Sequence, residues 1–187
     1  MKRILILAAA LFTACTAFAQ SEYNLQRRSL FEVLPVLSSD IVFLGNSITD
    51  GCEWAELDVQ MTADGVAVVT HDTSLRRCTG CNANIYDLPY AQVQQLDAGR
   101  WFGQKYTGAK VPTLEEVLDL CKGKIQLNIE IKPNAATPEL EAETIRIIRE
   151  KGFAQDCTIT SQSYETLCKV KELAPVSYTH LTLPTIR

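Results

Sequence analysis

Apolar and polar residues alternate along this chain in patterns that change from one segment to the next. Ile41-Val-Phe-Leu44 is uniformly apolar between Asp40 and Gly45, which suits a strand of a parallel sheet, buried on both faces. From Trp54 to Thr70, β-rich residues flank Asp64-Gly65, a favoured hairpin turn, so two antiparallel strands are predicted there. Leu114, Val117, Leu118 and Cys121 then recur at i, i+3, i+4 and i+7. Thr113 and Glu116 stand as a capping box and Gly123 as a stop, which predicts a helix over Thr113 to Lys122. Gln126 to Lys132 reads as a strand. Pro138 to Lys151 reads as a second helix, with Thr137 as N-cap, Pro138 in the first turn and Gly152 at its end. A strand over Thr158 to Gln162 and a helix reaching Ala174 follow, before Pro175. This alternation predicts an α/β protein with a parallel sheet and crossover helices, open or closed. From Val176 onward the amphipathic logic lapses.

The first residues carry a different signal. Lys2 and Arg3 precede an apolar run from Ile4 to Phe12, and Ala17-Phe18-Ala19 offers a cleavage site. Residues 1–19 are therefore expected to be a secretory signal peptide, and the mature chain to be exported to a periplasmic or extracellular location. No later run is long enough to span a bilayer. Composition is that of a folded protein: 47% hydrophobic and 21% charged among 187 residues. The formal net charge of −4 provides no basic surface for a phosphate backbone, so nucleic acid is not an expected partner. Cys78-Thr-Gly-Cys81 supplies at most half of a zinc site and reads as a local disulfide or as plain loop thiols.

The chemistry concentrates around the hairpin. A two-residue loop at Asp64-Gly65 would set Asp58 directly opposite His71, and the strand's period of two puts Glu56 on the same face. Two carboxylates there without a cation would be costly, so a divalent metal is expected. Asn128-Ile-Glu130-Ile-Lys132 repeats the geometry: Glu130 and Lys132 share one face and Ile129 and Ile131 the other.

The run from Glu56 to Asp72, with Asp97-Ala-Gly99-Arg-Trp101-Phe102, Val111-Pro-Thr-Leu-Glu-Glu116 and Asn128-Ile-Glu130-Ile-Lys132, resembles the glycerophosphodiester phosphodiesterases in both order and spacing. The resemblance covers residues 53–175. It implies a (β/α)8 barrel that cleaves glycerophosphodiesters, as small-molecule substrates, to glycerol 3-phosphate and an alcohol. By the same resemblance Glu56, Asp58 and Glu130 would be ligands of Ca²⁺ or Mg²⁺. His71 would be the acid that protonates the departing alcohol, and Lys132 a phosphate contact. A barrel of this type typically needs ~250 residues, so a partial barrel, incomplete at both ends, is expected here.

Two family motifs, a His-Arg-Gly strand and Pro-Glu-Asn-Thr, do not occur in the chain. In their place the segment from Asp40 to Gly51 looks like the first block of SGNH (GDSL-type) hydrolases, with Ser47 as nucleophile. No Asp stands three residues before either histidine, His71 or His180, so that serine would lack its base. Residues 20–52 are thus expected to be an SGNH-like segment. Residues 176–187 look like a translated adaptor, a non-native tail in which His180 is discounted. The expectation is a phosphodiesterase with impaired turnover; the alternatives are a non-catalytic chimeric fragment or an esterase using Ser47.

Overall fold

The computed structural model describes residues 4–8, 41–45, 54–174 and 179–181. Two strands, β1 (Ile4–Ala8) and β2 (Ile41–Gly45), pair in parallel as a small separate sheet, Ile4 opposite Ile41. The parallel pairing expected of the apolar run is thus present. Its partner lies within the segment read as a leader.

Among the described residues the main sheet has five strands in the order β4-β3-β5-β6-β7. β3 (Trp54–Met61) and β4 (Ala67–Val69) form the antiparallel hairpin at one edge. β5 (Gln126–Ile131) and β6 (Cys157–Ser161) add in parallel, and β7 (Thr179–Leu181) closes the order in parallel with β6. The segment beyond Val176, where periodicity lapses, thus contributes a strand, with His180 in register with Thr160. Helices α3 (Leu114–Cys121), α4 (Leu140–Glu150) and α5 (Tyr164–Leu173) alternate with the parallel strands, as in part of a (β/α)8 barrel. The described strands form an open arc.

Strand alternation separates the faces of this sheet. Leu57 and Val59 of β3, Leu127, Ile129 and Ile131 of β5 and Ile159 of β6 pack with Leu114, Leu118, Leu140, Ile148 and Phe153 into one core between sheet and helices. Burying each such side chain stabilises the fold by ~1.5–3 kcal/mol. The opposite face carries Glu56, Asp58, Gln60, Asn128, Glu130 and Thr160, and it is polar although Asp58, Gln60, Glu130 and Thr160 are buried. Within each strand the polar residues fall at every second position because strands have a period of two, and the parallel register puts those of neighbouring strands on one face.

The connection from β4 to α3 is long and folds as a unit. It contains two short helices, α1 (Arg76–Thr79) and α2 (Tyr90–Val93), and two single 3-10 turns, Ile85–Asp87 and Gln104–Tyr106. Leu75, Ile85, Val93, Ala98, Tyr106 and Val111 make a second core with Val68 of the hairpin. Cys78 lies in α1 rather than in a loop, and the thiols of Cys78 and Cys81 are both free.

Local capping signals hold in one place and fail in another. Thr113 accepts from the Glu116 amide and Glu116 accepts from the Thr113 amide, so the predicted capping box starts α3. Thr137 does not cap α4. Its carbonyl accepts from the Leu140 amide, which turns the chain through Pro138 and Glu139 before the helix begins at Leu140.

Candidate active site

The polar face of the sheet assembles the carboxylates by register. In the parallel pairing Glu56 stands opposite Asn128 and Asp58 opposite Glu130, and Glu130 in turn opposite Thr160. Asn128 Nδ2 donates to Glu56 Oε1 at 3.4 Å. Lys132, just past the end of β5, reaches back along the same face. Its Nζ lies 3.0 Å from Asp58 Oδ1 and 2.8 Å from Glu130 Oε1, an ion pair with each. Asp58 Oδ2 and Asn128 Oδ1 are buried without a hydrogen-bond partner.

One ammonium against three carboxylates leaves this face short of positive charge, and the ionisation equilibria reflect it. Burial pushes the Asp58 carboxyl up to about 6, with the Lys132 ammonium opposing the rise. Glu56 is raised too, first by burial and then by the charge of Glu130. Burial alone would pull the Lys132 ammonium down, but its contacts with Glu130 and Asp58 hold it above the ordinary lysine value.

His71 arrives by a different route from the one the hairpin turn suggested. Val59 pairs with Val69 and Met61 with Ala67, so the register is one residue off the expected pairing and Asp58 stands opposite Thr70, not His71. The loop is the reason. Thr62 pairs with Val66 through a 3.0 Å bond from its amide, leaving a three-residue loop in which Gly65 has φ +83°. Asp64 locks this loop by accepting from Thr62 Oγ1 at 2.6 Å and from the Tyr90 amide at 2.9 Å. Beyond β4 the chain leaves the ladder. Gln60 Nε2 donates to the carbonyls of both Thr70 and His71, at 3.1 and 3.0 Å, and so holds the backbone on which His71 sits. There a His71 charge would lower both Glu56 and Asp58, so the imidazole still shares their electrostatic field.

Sequence reasoning assigned no role to several residues that this geometry uses. Gln60 is two positions past Asp58 on the same strand face, and the period of two is the signal that could have found it. Asp72 was visible only as the neighbour of His71; its Oδ1 lies 2.7 Å from His71 Nδ1, and its Oδ2 accepts from Arg77. Ser47 lies outside the described residues, and His180 is described only by its backbone register.

Three comparisons bear on this site. The glycerophosphoryl diester phosphodiesterase family matches residues 44–185, wider than the span read from the motifs and reaching into the segment taken for a foreign tail. The chain belongs to that family. A glycerophosphodiester phosphodiesterase of Caldanaerobacter subterraneus is 39% identical over 127 residues, covering 67% of this chain and 52% of that protein. One from Bacillus subtilis is 35% identical over 149 residues, covering 72% and 49%. Among solved structures, an Oleispira antarctica phosphodiesterase in complex with the product sn-glycerol-3-phosphate superposes with a TM-score of 0.68 at 33% identity, covering 73% of this chain and 57% of that one. The chain spans about half the length of the curated relatives it matches. The matches give this chain the family's fold, and neither the SGNH-like first block nor the adaptor-like tail finds support in them.

The donor set suits a hard cation in its chemistry: three carboxylates, an orphaned buried oxygen on Asp58 and another on Asn128. The three carboxylates do not converge as ligands, however. Among the described residues no group of three or more His, Cys, Asp or Glu is arranged to hold a metal ion. Lys132 supplies the counter-charge between Asp58 and Glu130, and the carboxylates turn toward it.

Proposed function

We propose that this chain is a metal-dependent phosphodiesterase that hydrolyses glycerophosphodiesters to glycerol 3-phosphate and an alcohol. The observation that carries the reading is the row of Asp58, Glu130 and Lys132 on one buried sheet face, with Glu56 beside it and His71 in its field. Glu56, Asp58 and Glu130 are the carboxylates that would hold a divalent cation, Ca²⁺ or Mg²⁺, and Asp58 and Glu130 would have to turn from Lys132 for the three to converge. When bound, such an ion neutralises phosphate charge and polarises the phosphoryl oxygen.

The chain's own residues do the rest. Lys132, held protonated by its two carboxylates, would supply the positive charge that contacts a phosphate oxygen of the substrate. His71, on a backbone fastened by Gln60, delivers a proton to the departing alcohol oxygen. The product named for the Oleispira relative, sn-glycerol-3-phosphate, is the product this cleavage would release. The family's His-Arg-Gly motif does not occur in the chain, and an acid/base group is worth about 10² to 10⁴ in rate. In this reading turnover is slow for that reason. Residues 1–19 act as an export signal in this reading.

The test is hydrolysis of glycerophosphocholine with Ca²⁺. Release of glycerol 3-phosphate that stops with a chelator and falls at least ~100-fold in His71→Ala is the expected result. Release indifferent to either change overturns the reading, and no release at all favours a non-catalytic fragment.

A further inference from the structure

We propose that Asp72 and Arg77, braced on Trp101, are positioning residues that hold His71 with its proton on Nδ1 and so present Nε2 to the reacting oxygen. The proposal rests on the reading of His71 as the acid and adds how its ring is set.

The chain of contacts is continuous. His71 Nδ1 lies 2.7 Å from Asp72 Oδ1, and Arg77 Nε donates to Asp72 Oδ2, so each carboxylate oxygen has its own partner. The guanidinium carbon of Arg77 stands 5.0 Å from the centroid of the Trp101 ring, a cation–π contact. Trp101 is itself tethered, its indole Nε1 donating to the Ala98 carbonyl at 2.9 Å, and its ring makes a T-shaped pair with Phe102. The loop that carries it is closely packed, since a Cβ added at Gly99 would meet the Tyr106 carbonyl oxygen at 2.0 Å.

These contacts decide the tautomer. Burial works against a charge on Asp72, yet the hydrogen bonds from Arg77 and His71 outweigh it and hold the carboxyl below its ordinary value. An ionised carboxylate can only accept, so the proton of the shared hydrogen bond belongs to Nδ1. With Nδ1 engaged, Nε2 is the ring nitrogen that takes up a second proton from water; the imidazolium so formed gives that proton to the departing alcohol oxygen and returns to the Nδ1–H form. The polar face of the sheet needs the ring fixed because Gln60 holds only the backbone of His71. Asp72 and Arg77 supply the corresponding restraint on the side chain.

Two histidines in the full chain make the test direct. A long-range ¹H–¹⁵N correlation spectrum of the labelled protein, with His180→Gln to assign the signals, reads the tautomer of His71 without any assay. The expected result is the Nδ1–H form in the wild type and a shift toward the Nε2–H form in Asp72→Ala. Where the chain turns over glycerophosphocholine, Asp72→Ala lowers kcat by ~10–100-fold with KM within about twofold. Arg77→Gln moves both readouts in the same direction by less, and it carries the test if Asp72→Ala does not fold. An Nε2–H tautomer in the wild type, or spectra unchanged by both substitutions, overturns the proposal. A chain that shows the tautomer shift but no hydrolysis refutes the phosphodiesterase reading while supporting this positioning role.

Discussion

Asp58 sets burial against charge. It is 0% exposed and its carboxyl is pushed up to about 6 by burial, so the folded chain binds its proton more tightly than the unfolded chain, whose Asp titrates near 3.8. Between those two values the folded state carries the extra proton. The contribution of Asp58 to stability therefore falls as pH rises through about 4 to 6, and ionised Asp58 is a net cost at pH 7. Asp58→Asn in chelator-treated buffer is expected to raise the melting temperature at pH 7 by a few degrees, corresponding to ~1 kcal/mol. That gain should vanish as the pH is lowered toward 4, as thermal unfolding followed by circular dichroism would show. Lys132 has the opposite role. Lys132→Met removes the cation from two buried carboxylates and is expected to cost ~2–4 kcal/mol at pH 7, read from urea unfolding, with part of the loss recovered in the double variant with Asp58→Asn.

Elements were legible in the sequence where their determinants are local. Both partners of the Thr113 and Glu116 box lie within one helical turn, and that box starts α3 as read. Thr113→Ala should accordingly cost ~1 kcal/mol in chemical denaturation. The hairpin turn was legible in place but not in register. Asp64-Gly65 is compatible with a two-residue or a three-residue loop, and the choice falls to Tyr90, whose amide is bound by Asp64 from 26 positions away. One residue of difference moves His71 off the strand, and the sequence pattern carries no record of a contact at that distance. Thr137 shows the same limit, since a threonine before a proline can cap a helix or, as here, pass its carbonyl to a preceding turn. The loop from Asp97 to Phe102 shows its constraint only in three dimensions. Gly99→Ala has no room beside the Tyr106 carbonyl and is expected to lose ~1–3 kcal/mol, seen as a lower urea midpoint, while loosening Trp101.

At the scale of the molecule, burial is graded across the sheet. β5 lies at the centre of the five strands, and its Leu127, Ile129 and Ile131 are all at most 1% exposed. Amides of β5 are expected to exchange with solvent most slowly, and those of the edge strand β4 and of the short helices α1 and α2 faster, in native-state hydrogen exchange. Ile129→Ala should cost ~2–5 kcal/mol, because the helices on that side cannot close fully over the lost volume. The second core, beneath the long β4–α3 connection, joins the sheet through Val68 and carries the residues that brace His71. It links the stability of a surface unit to the geometry of the site.

The sequence by itself determined the periodicities, and with them the alternating strands and helices, the apolar face that the helices cover and the polar face that bears Glu56, Asp58, Glu130 and Lys132. Periodicity is a property of the backbone, so it can be read without a partner. Tertiary structure alone decided which strands lie side by side and therefore that Asp58 meets Glu130 across a parallel pair. It also decided that Lys132 answers both carboxylates, that His71 reaches them from a loop held by Gln60, and that Asp72, Arg77 and Trp101 stand behind the imidazole. These are contacts between residues far apart in the chain, or choices among local conformations of similar energy. The packing of the whole molecule selects among them, and no single stretch of sequence contains that information.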